Sequence, residues 1–207
     1  HPQHRGAAVL KALAERNNLN TADVDDIIWG TSSQRGKQGG DLGRMAALDA
    51  GYDTKASGMT LDRFCGSGIT TVNLAAAQIM SGLEDPVIAG GTEMMSYTSS
   101  TGDPSTPPIM NSGNLRLRAR HPQTQQGVCA DAIATMEGID RRALDELALL
   151  SQQRADAAIK GGHFDKSLIP VYREDGSLAL DREEFPRPQT TMEGLSGLKP
   201  AFEMLAN

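Results

Sequence analysis

One cysteine of the chain stands at a corner. In "LDRFCGSGITTVNLAAAQIM", residues 61 to 80, Cys65 follows a short alternating stretch and precedes Gly66, Ser67 and Gly68. Beyond them, apolar residues recur at helical spacing. A helix N-terminus presents unpaired N–H groups and a partial positive charge. A thiolate placed there is stabilised, and the same donors can hold the oxyanion of a tetrahedral intermediate. Gly66 and Gly68 remove bulk where a substrate must approach, and Ser67 offers a cap. If the substrate is a thioester, the acyl-enzyme is also a thioester, so little free energy is lost on transfer. That chemistry is acyl transfer from a thiol carrier. The competing reading is a small inert core residue, because cysteine is among the most often buried residue types. The local pattern leaves both readings open. Cys129 lies inside an amphipathic helical stretch without flanking glycines, and reads as core.

Composition narrows the classes. The chain has 207 residues; 39% are apolar, and 22 glycines bring that share to about half, the globular norm. Aromatics are 4%, so the core must be aliphatic and alanine-rich. The net charge of −6 gives no support to nucleic-acid binding. Two cysteines 64 positions apart form neither a disulfide framework nor a metal-ligand cluster. A reducing, cytoplasmic compartment is expected, with no membrane span. The N-terminal "HPQHRGAAVLKAL" has neither an initiating methionine nor a signal-peptide pattern, so the chain is expected to begin inside a longer protein.

The elements that would position the cysteine can be read in order. Val9, Leu10 and Leu13 mark a helix; Thr21 is expected to cap a short acidic segment; "IIWG" is a buried strand ending at Gly30. "GTSSQRGKQGGD" is a glycine-rich loop without the ending of a phosphate loop. Leu42, Met45 and Leu48 mark a second helix, and "ASGMTLDRF" alternates as a strand. Ile69, Val72, Ala76 and Ile79 form the stripe of the helix after Cys65, closed by Gly82, and "PVIAGG" is the next strand. Strand, turn, helix, strand is the unit of a parallel sheet. "SYTSSTGDPSTPPIMNSGN" reads as a linker or excursion. Two helices follow, "VCADAIATMEGI" and "RRALDELALLSQQRADAAIKGG", then a hairpin around Asp175-Gly176 and a short helix in "RPQTTMEGLSGLKPAF".

Those motifs together resemble the thiolase family, the acetyl-CoA acetyltransferases and 3-ketoacyl-CoA thiolases. "DRFCGSGITTVNLAAAQIMSG" resembles its nucleophile turn. "AGGTEMMS", with Gly90, Gly91, Glu93, Met95 and Ser96, resembles the strand end that follows. "QGVCADAIA", "LSQQRADAAIKGGHFDKSLIPV" and "RPQTTMEGLSGLKPAF" resemble its loop domain in the same order. The resemblance implies an α/β class: a layered α/β/α fold, incomplete here, with a helix-rich loop subdomain. Residues 1–98 would be the nucleophile-bearing core, and residues 99–207 the loop domain for CoA binding and tetramerisation.

The resemblance also implies a ping-pong reaction. Cys65 would attack the keto carbon of a 3-ketoacyl-CoA and then pass its acyl group to CoA, or in reverse support the condensation of two acetyl-CoA molecules. Coenzyme A is then a substrate, with no cofactor and no metal. Arg187 and Phe202 match residues around the CoA nucleotide. Ser196 is near the position of a pantetheine-contacting serine, which is Gly194 here, and Gln125 and Gln126 replace a His-Met pair. The family's catalytic histidine and second cysteine, found in its second half, have no counterpart among these residues. The segment alone is therefore expected to be inactive. A homodimer or homotetramer is implied, with the strand before Cys65 near the contact. The alternatives are a ketoacyl-synthase-like condensing enzyme and a non-catalytic CoA-binding protein.

The remaining features have plainer readings. Arg116, Arg118 and Arg120 alternate and, if extended, share one side, read as a solvated edge ahead of a contact to CoA phosphates or a neighbouring subunit. Met94 and Met95 read as core packing ahead of cofactor contacts, although the resemblance places them near the site. Glu93 reads as a poor candidate for the missing base. His1, His4, His121 and His163 lie in no catalytic context.

Overall fold

The computed structural model describes residues 1–101 and 113–203. The chain divides into two compact units: His1–Gly102 with Ile169–Asp181, and Asp103–Leu168 with Arg182–Asn207.

The first unit begins with helix α1 (Pro2–Asn17), whose buried side is Pro2, Gly6, Ala7 and Leu10. Of the expected stripe, only Leu10 is fully buried, while Val9 and Leu13 face out. Asn20, not Thr21, caps the short turn Thr21–Asp23; Thr21 Oγ1 instead accepts from the Asp53 N–H at 3.0 Å. Strand β1 (Asp26–Gly30) is buried at every position. Helix α2 (Leu42–Asp49) is capped by Asp41, and β2 (Met59–Leu61) is shorter than its alternating sequence. Helix α3 (Ser67–Ser81) ends at Gly82 in the left-handed conformation, as expected, and leads to β3 (Val87–Gly91).

The three strands run parallel in the order β2-β1-β3. Alternation along β1 sends Ile27 and Trp29 to one face, where they join Leu10, Leu42, Ala46 and Ala47 of α1 and α2. The opposite face receives α3, packed on β1 and β3. The result is a layered α/β/α arrangement. A Cβ on Gly30 would stand 3.0 Å from Ser67 Cβ, which explains a glycine where the strand meets the helix start.

Helix α3 corrects the expected stripe. Its buried residues are Ser67, Thr70, Thr71 and Ala75. Ile69, Val72 and Ile79 are exposed, Ile69 at 73%. Small residues let the helix approach the sheet closely, and the hydroxyls satisfy themselves within it. Thr70 Oγ1 donates to the Gly66 carbonyl at 2.9 Å, and Thr71 Oγ1 donates to the Gly68 carbonyl at 2.7 Å.

Helix α4 (Met95–Thr101) occupies part of the expected linker, most of whose remainder lies outside the described residues. In the second unit, α5 (Leu115–Arg120) puts the three arginines on a helix and not on an extended edge. Helices α6 (Gln126–Met136) and α7 (Arg141–Lys160) follow, the latter capped by Asp140. The hairpin β4 (Val171–Tyr172) and β5 (Leu178–Leu180) turns at Asp175 and Gly176 and belongs to the first unit. Helix α8 (Met192–Ser196) is the short final helix. Among the described residues, no helix is long and apolar enough to cross a membrane.

Candidate active site

The carboxyl ends of β1, β2 and β3 converge on one edge of the sheet, as parallel pairing requires. A cleft of about 760 Å³ opens there. Its wall includes Thr31, Ser32 and Ser33 after β1, Phe64 and Cys65 after β2, and Gly90 to Glu93 at the end of β3. Cys65 is exposed and carries a free thiol. It immediately precedes Gly66, the N-cap residue of α3. The expected position at a helix N-terminus is therefore what the fold provides.

The turn that carries Cys65 is held by Ser67. Ser67 is buried, and its Oγ accepts from the Arg63 N–H at 2.8 Å and donates to the Phe64 carbonyl at 2.7 Å. The hydroxyl staples the turn and does not cap the helix, whose start at Gly66 has no side-chain cap. Phe64 pays for this geometry with φ +49°, a left-handed conformation that costs a bulky residue about 1–2 kcal/mol. Strain at the residue before an exposed thiol is the kind that persists where a side chain must be aimed. A Cβ on Gly68 would meet nothing within 4 Å, so this glycine leaves open space beside Cys65.

Glu93 gathers most of the polar contacts in the cleft. Its carboxylate accepts from Thr31 Oγ1 at 3.0 Å, from the Ser32 N–H and Oγ at 2.8 Å each, and from Gln38 Nε2 at 2.9 Å. Desolvation raises this carboxyl, and the hydrogen bonds from Gln38, Ser32 and Thr31 outweigh it, holding the group below the ordinary value of 4.5. A carboxylate so committed is a poor base. Sequence reasoning passed over Gln38, whose burial is complete. A lone glutamine in a glycine-rich loop has no periodic signal to betray it.

Two other expectations change here. Met95 is exposed and lines the cleft, so it is not core packing. Cys129 is exposed on α6, none of whose described residues is buried, so the core reading fails. Among the described residues, no histidine lines the cleft.

The residues expected to meet coenzyme A all belong to the second unit, whereas Cys65 belongs to the first. Arg187 is exposed, and its N–H donates to Gln152 Oε1 of α7 at 2.6 Å. Ser196 closes α8 and donates to the Glu193 carbonyl at 3.0 Å. That segment is tied to α7 by Arg141, which bonds Asp145 at 2.9 Å and donates to the Leu195 carbonyl at 2.6 Å. The Phe202 ring lies on the start of α6, where a Cβ at Gly127 would be 1.8 Å from it. Helix α7 thus organises the Arg187 and Ser196 segments. Among the described residues, no His, Cys, Asp and Glu side chains gather as a metal site.

Fold and site define an α/β domain with an exposed thiol at the carboxyl ends of parallel strands. Comparison with known proteins makes this specific. The family model described as thiolase, N-terminal domain, matches residues 3–205. The chain belongs to the thiolase family. It is 37% identical over 204 residues to a 3-ketoacyl-CoA thiolase of Psychrobacter cryohalolentis, covering 95% of this chain and 50% of that protein. It is 36% identical over 210 residues to an acetyl-CoA acetyltransferase of Cupriavidus necator, covering 96% and 53%. A beta-ketoadipyl-CoA thiolase of Acinetobacter baylyi is 36% identical over 210 residues, covering 94% and 52%. The chain spans about half the length of the curated relatives it matches.

Proposed function

We propose that the protein transfers acyl groups between thioesters of coenzyme A through a thioester on Cys65. The observation that carries this reading is the exposed thiol at the start of α3, inside a cleft at the strand ends. The relatives' names support the substrate class.

In the thiolysis direction, Cys65 Sγ attacks the keto carbon of a 3-ketoacyl-CoA. The bond between that carbon and the neighbouring CH₂ breaks. Its electron pair takes up a proton and departs as acetyl-CoA. The thiol of a second CoA then attacks the acyl-enzyme, and Cys65 leaves as its thiolate. The N–H groups at the start of α3 face the charge that develops on the attacked oxygen. Residues 1–98 supply the nucleophile. Residues 99–207 handle coenzyme A through Arg187, Ser196 and Phe202, and the assembly is a homodimer or homotetramer.

Turnover needs a group to take the thiol proton, and among the described residues the only other titratable side chain in the cleft wall is the committed Glu93. The 207 residues alone are therefore expected to be inactive, as the family histidine and second cysteine without a counterpart here also imply. The test is steady-state thiolysis of acetoacetyl-CoA by the complete protein at varied CoA. Parallel reciprocal plots are expected, the pattern of a ping-pong reaction. Intersecting plots, or no thiolysis, would overturn the proposal.

A further inference from the structure

Glu93 and Gln38 have no part in the chemistry just described, yet they hold the wall of its cleft. Gln38 is fully buried. Its Nε2 donates to Glu93 Oε1 at 2.9 Å, to the Ser33 carbonyl at 3.1 Å and to Thr31 Oγ1 at 3.3 Å, and its Oε1 accepts from the Met94 N–H at 2.7 Å. Glu93 Oε2 takes the Thr31 and Ser32 donors. One carboxylate and one amide therefore clamp the segment after β1 to the segment after β3. Those two segments flank the cleft that Cys65 also lines. A loop rich in glycine and serine would otherwise sample many conformations.

We propose that Glu93 and Gln38 are positioning residues for acyl transfer at Cys65: their clasp fixes the Thr31–Ser33 wall against which the acyl group lies. This rests on the acyl-transfer reading above. A fixed wall matters to rate because a reacting carbonyl displaced by about 1 Å can lose about 10²-fold. It matters little to affinity, because the residues assigned to coenzyme A lie on other segments.

The experiment follows single-turnover acetylation of Cys65 by acetyl-CoA in the complete protein, with Glu93→Gln, Gln38→Glu and the double exchange. Glu93→Gln turns an amide against a donor, and Gln38→Glu sets two carboxylates against each other. Each single variant is expected to lower the acetylation rate constant about 10²-fold, with the half-saturating acetyl-CoA concentration nearly unchanged. The double exchange restores a donor facing an acceptor between positions 38 and 93 but leaves a carboxylate against the Ser33 carbonyl, so it is expected to recover part of the rate and exceed both single variants. Folded fraction is checked by circular dichroism. If a single variant does not fold, Ser32→Ala removes one side-chain donor to Glu93 and is expected to cut the rate about tenfold. Wild-type rates in folded variants would overturn the clasp alone. So would losses that merely track the folded fraction. Wild-type protein that takes no acetyl group on Cys65 would overturn the acyl-transfer reading, and the clasp with it.

Discussion

Replacing Gly90 by alanine demands space that Trp29 occupies. A Cβ at Gly90 would stand 2.3 Å from Trp29 Cζ3 and 2.8 Å from Cη2, where ordinary contact begins at 3.4 Å. The shortfall is about 1.1 Å. The indole has no room to yield. It is 2% exposed, and its Nε1–H donates to Thr92 Oγ1 at 2.9 Å. On α2 a Cβ at Gly43 would stand 2.5 Å from Trp29 Cβ, and on α1 a Cβ at Gly6 would stand 3.3 Å from Cζ2. Overpacking of this kind costs about 1–3 kcal/mol, and displacing the ring forfeits a hydrogen bond of about 1 kcal/mol. Gly90→Ala should therefore cost about 2–4 kcal/mol, a large share of the ~5–15 kcal/mol that holds a domain together. The comparison is Gly68→Ala in α3, where the added methyl meets nothing within 4 Å. There the helix should gain up to about 1 kcal/mol. Urea unfolding of the complete protein, followed by circular dichroism, measures both. A neutral Gly90→Ala, or a Gly68→Ala as damaging as Gly90→Ala, would refute the packing of Trp29 described here.

Three further outcomes are expected. Iodoacetamide at neutral pH should alkylate Cys65 well ahead of Cys129. Both thiols are exposed, so the ratio reports reactivity and not access, and equal rates would count against an activated nucleophile. Ser67→Ala removes the partner of the Arg63 N–H in a part-buried turn and should cost about 1 kcal/mol in unfolding experiments, with acetylation of Cys65 slowed as its turn slackens. Burial, then the charges of Asp26 and Asp25, push the Glu84 carboxyl above its ordinary 4.5, and its Oε2 has no hydrogen-bond partner among the described residues. Ionising it in the folded state is unfavourable, so stability is lost as pH rises from about 4.5 through the raised value. Glu84→Gln should raise Tm at pH 7, and the gain should vanish below about pH 4.5; a gain independent of pH would show that charge is not the cause.

Much of the fold was legible where one signal acts alone. The run "IIWG" is apolar throughout because β1 is covered on both faces, and Gly82 ended α3 because only a left-handed residue closes that turn cheaply. The corner at Cys65 was legible for the same local reason. The inward face of α3 was not. Periodicity reports an apolar stripe but not its partner, and here threonine, serine and alanine take the sheet while Ile69, Val72 and Ile79 face out. Ser67 was expected at a cap and found in a staple, since the same hydroxyl serves either bond and only the turn decides. The clasp of Gln38 and Glu93 joins residues 55 apart in sequence, a distance over which no spacing rule operates. A helical stretch without flanking glycines points Cys129 to a core, yet α6 buries none of its described residues.

The central claim is that the Cys65 sulfur carries the acyl group. The direct measurement is the mass of the Cys65 peptide after the complete protein is incubated with acetyl-CoA and quenched in acid. One acetyl group on that peptide, lost on addition of CoA and absent in Cys65→Ser, is the predicted result. An unmodified Cys65 peptide, or an acetyl group found on Cys129 instead, would contradict it.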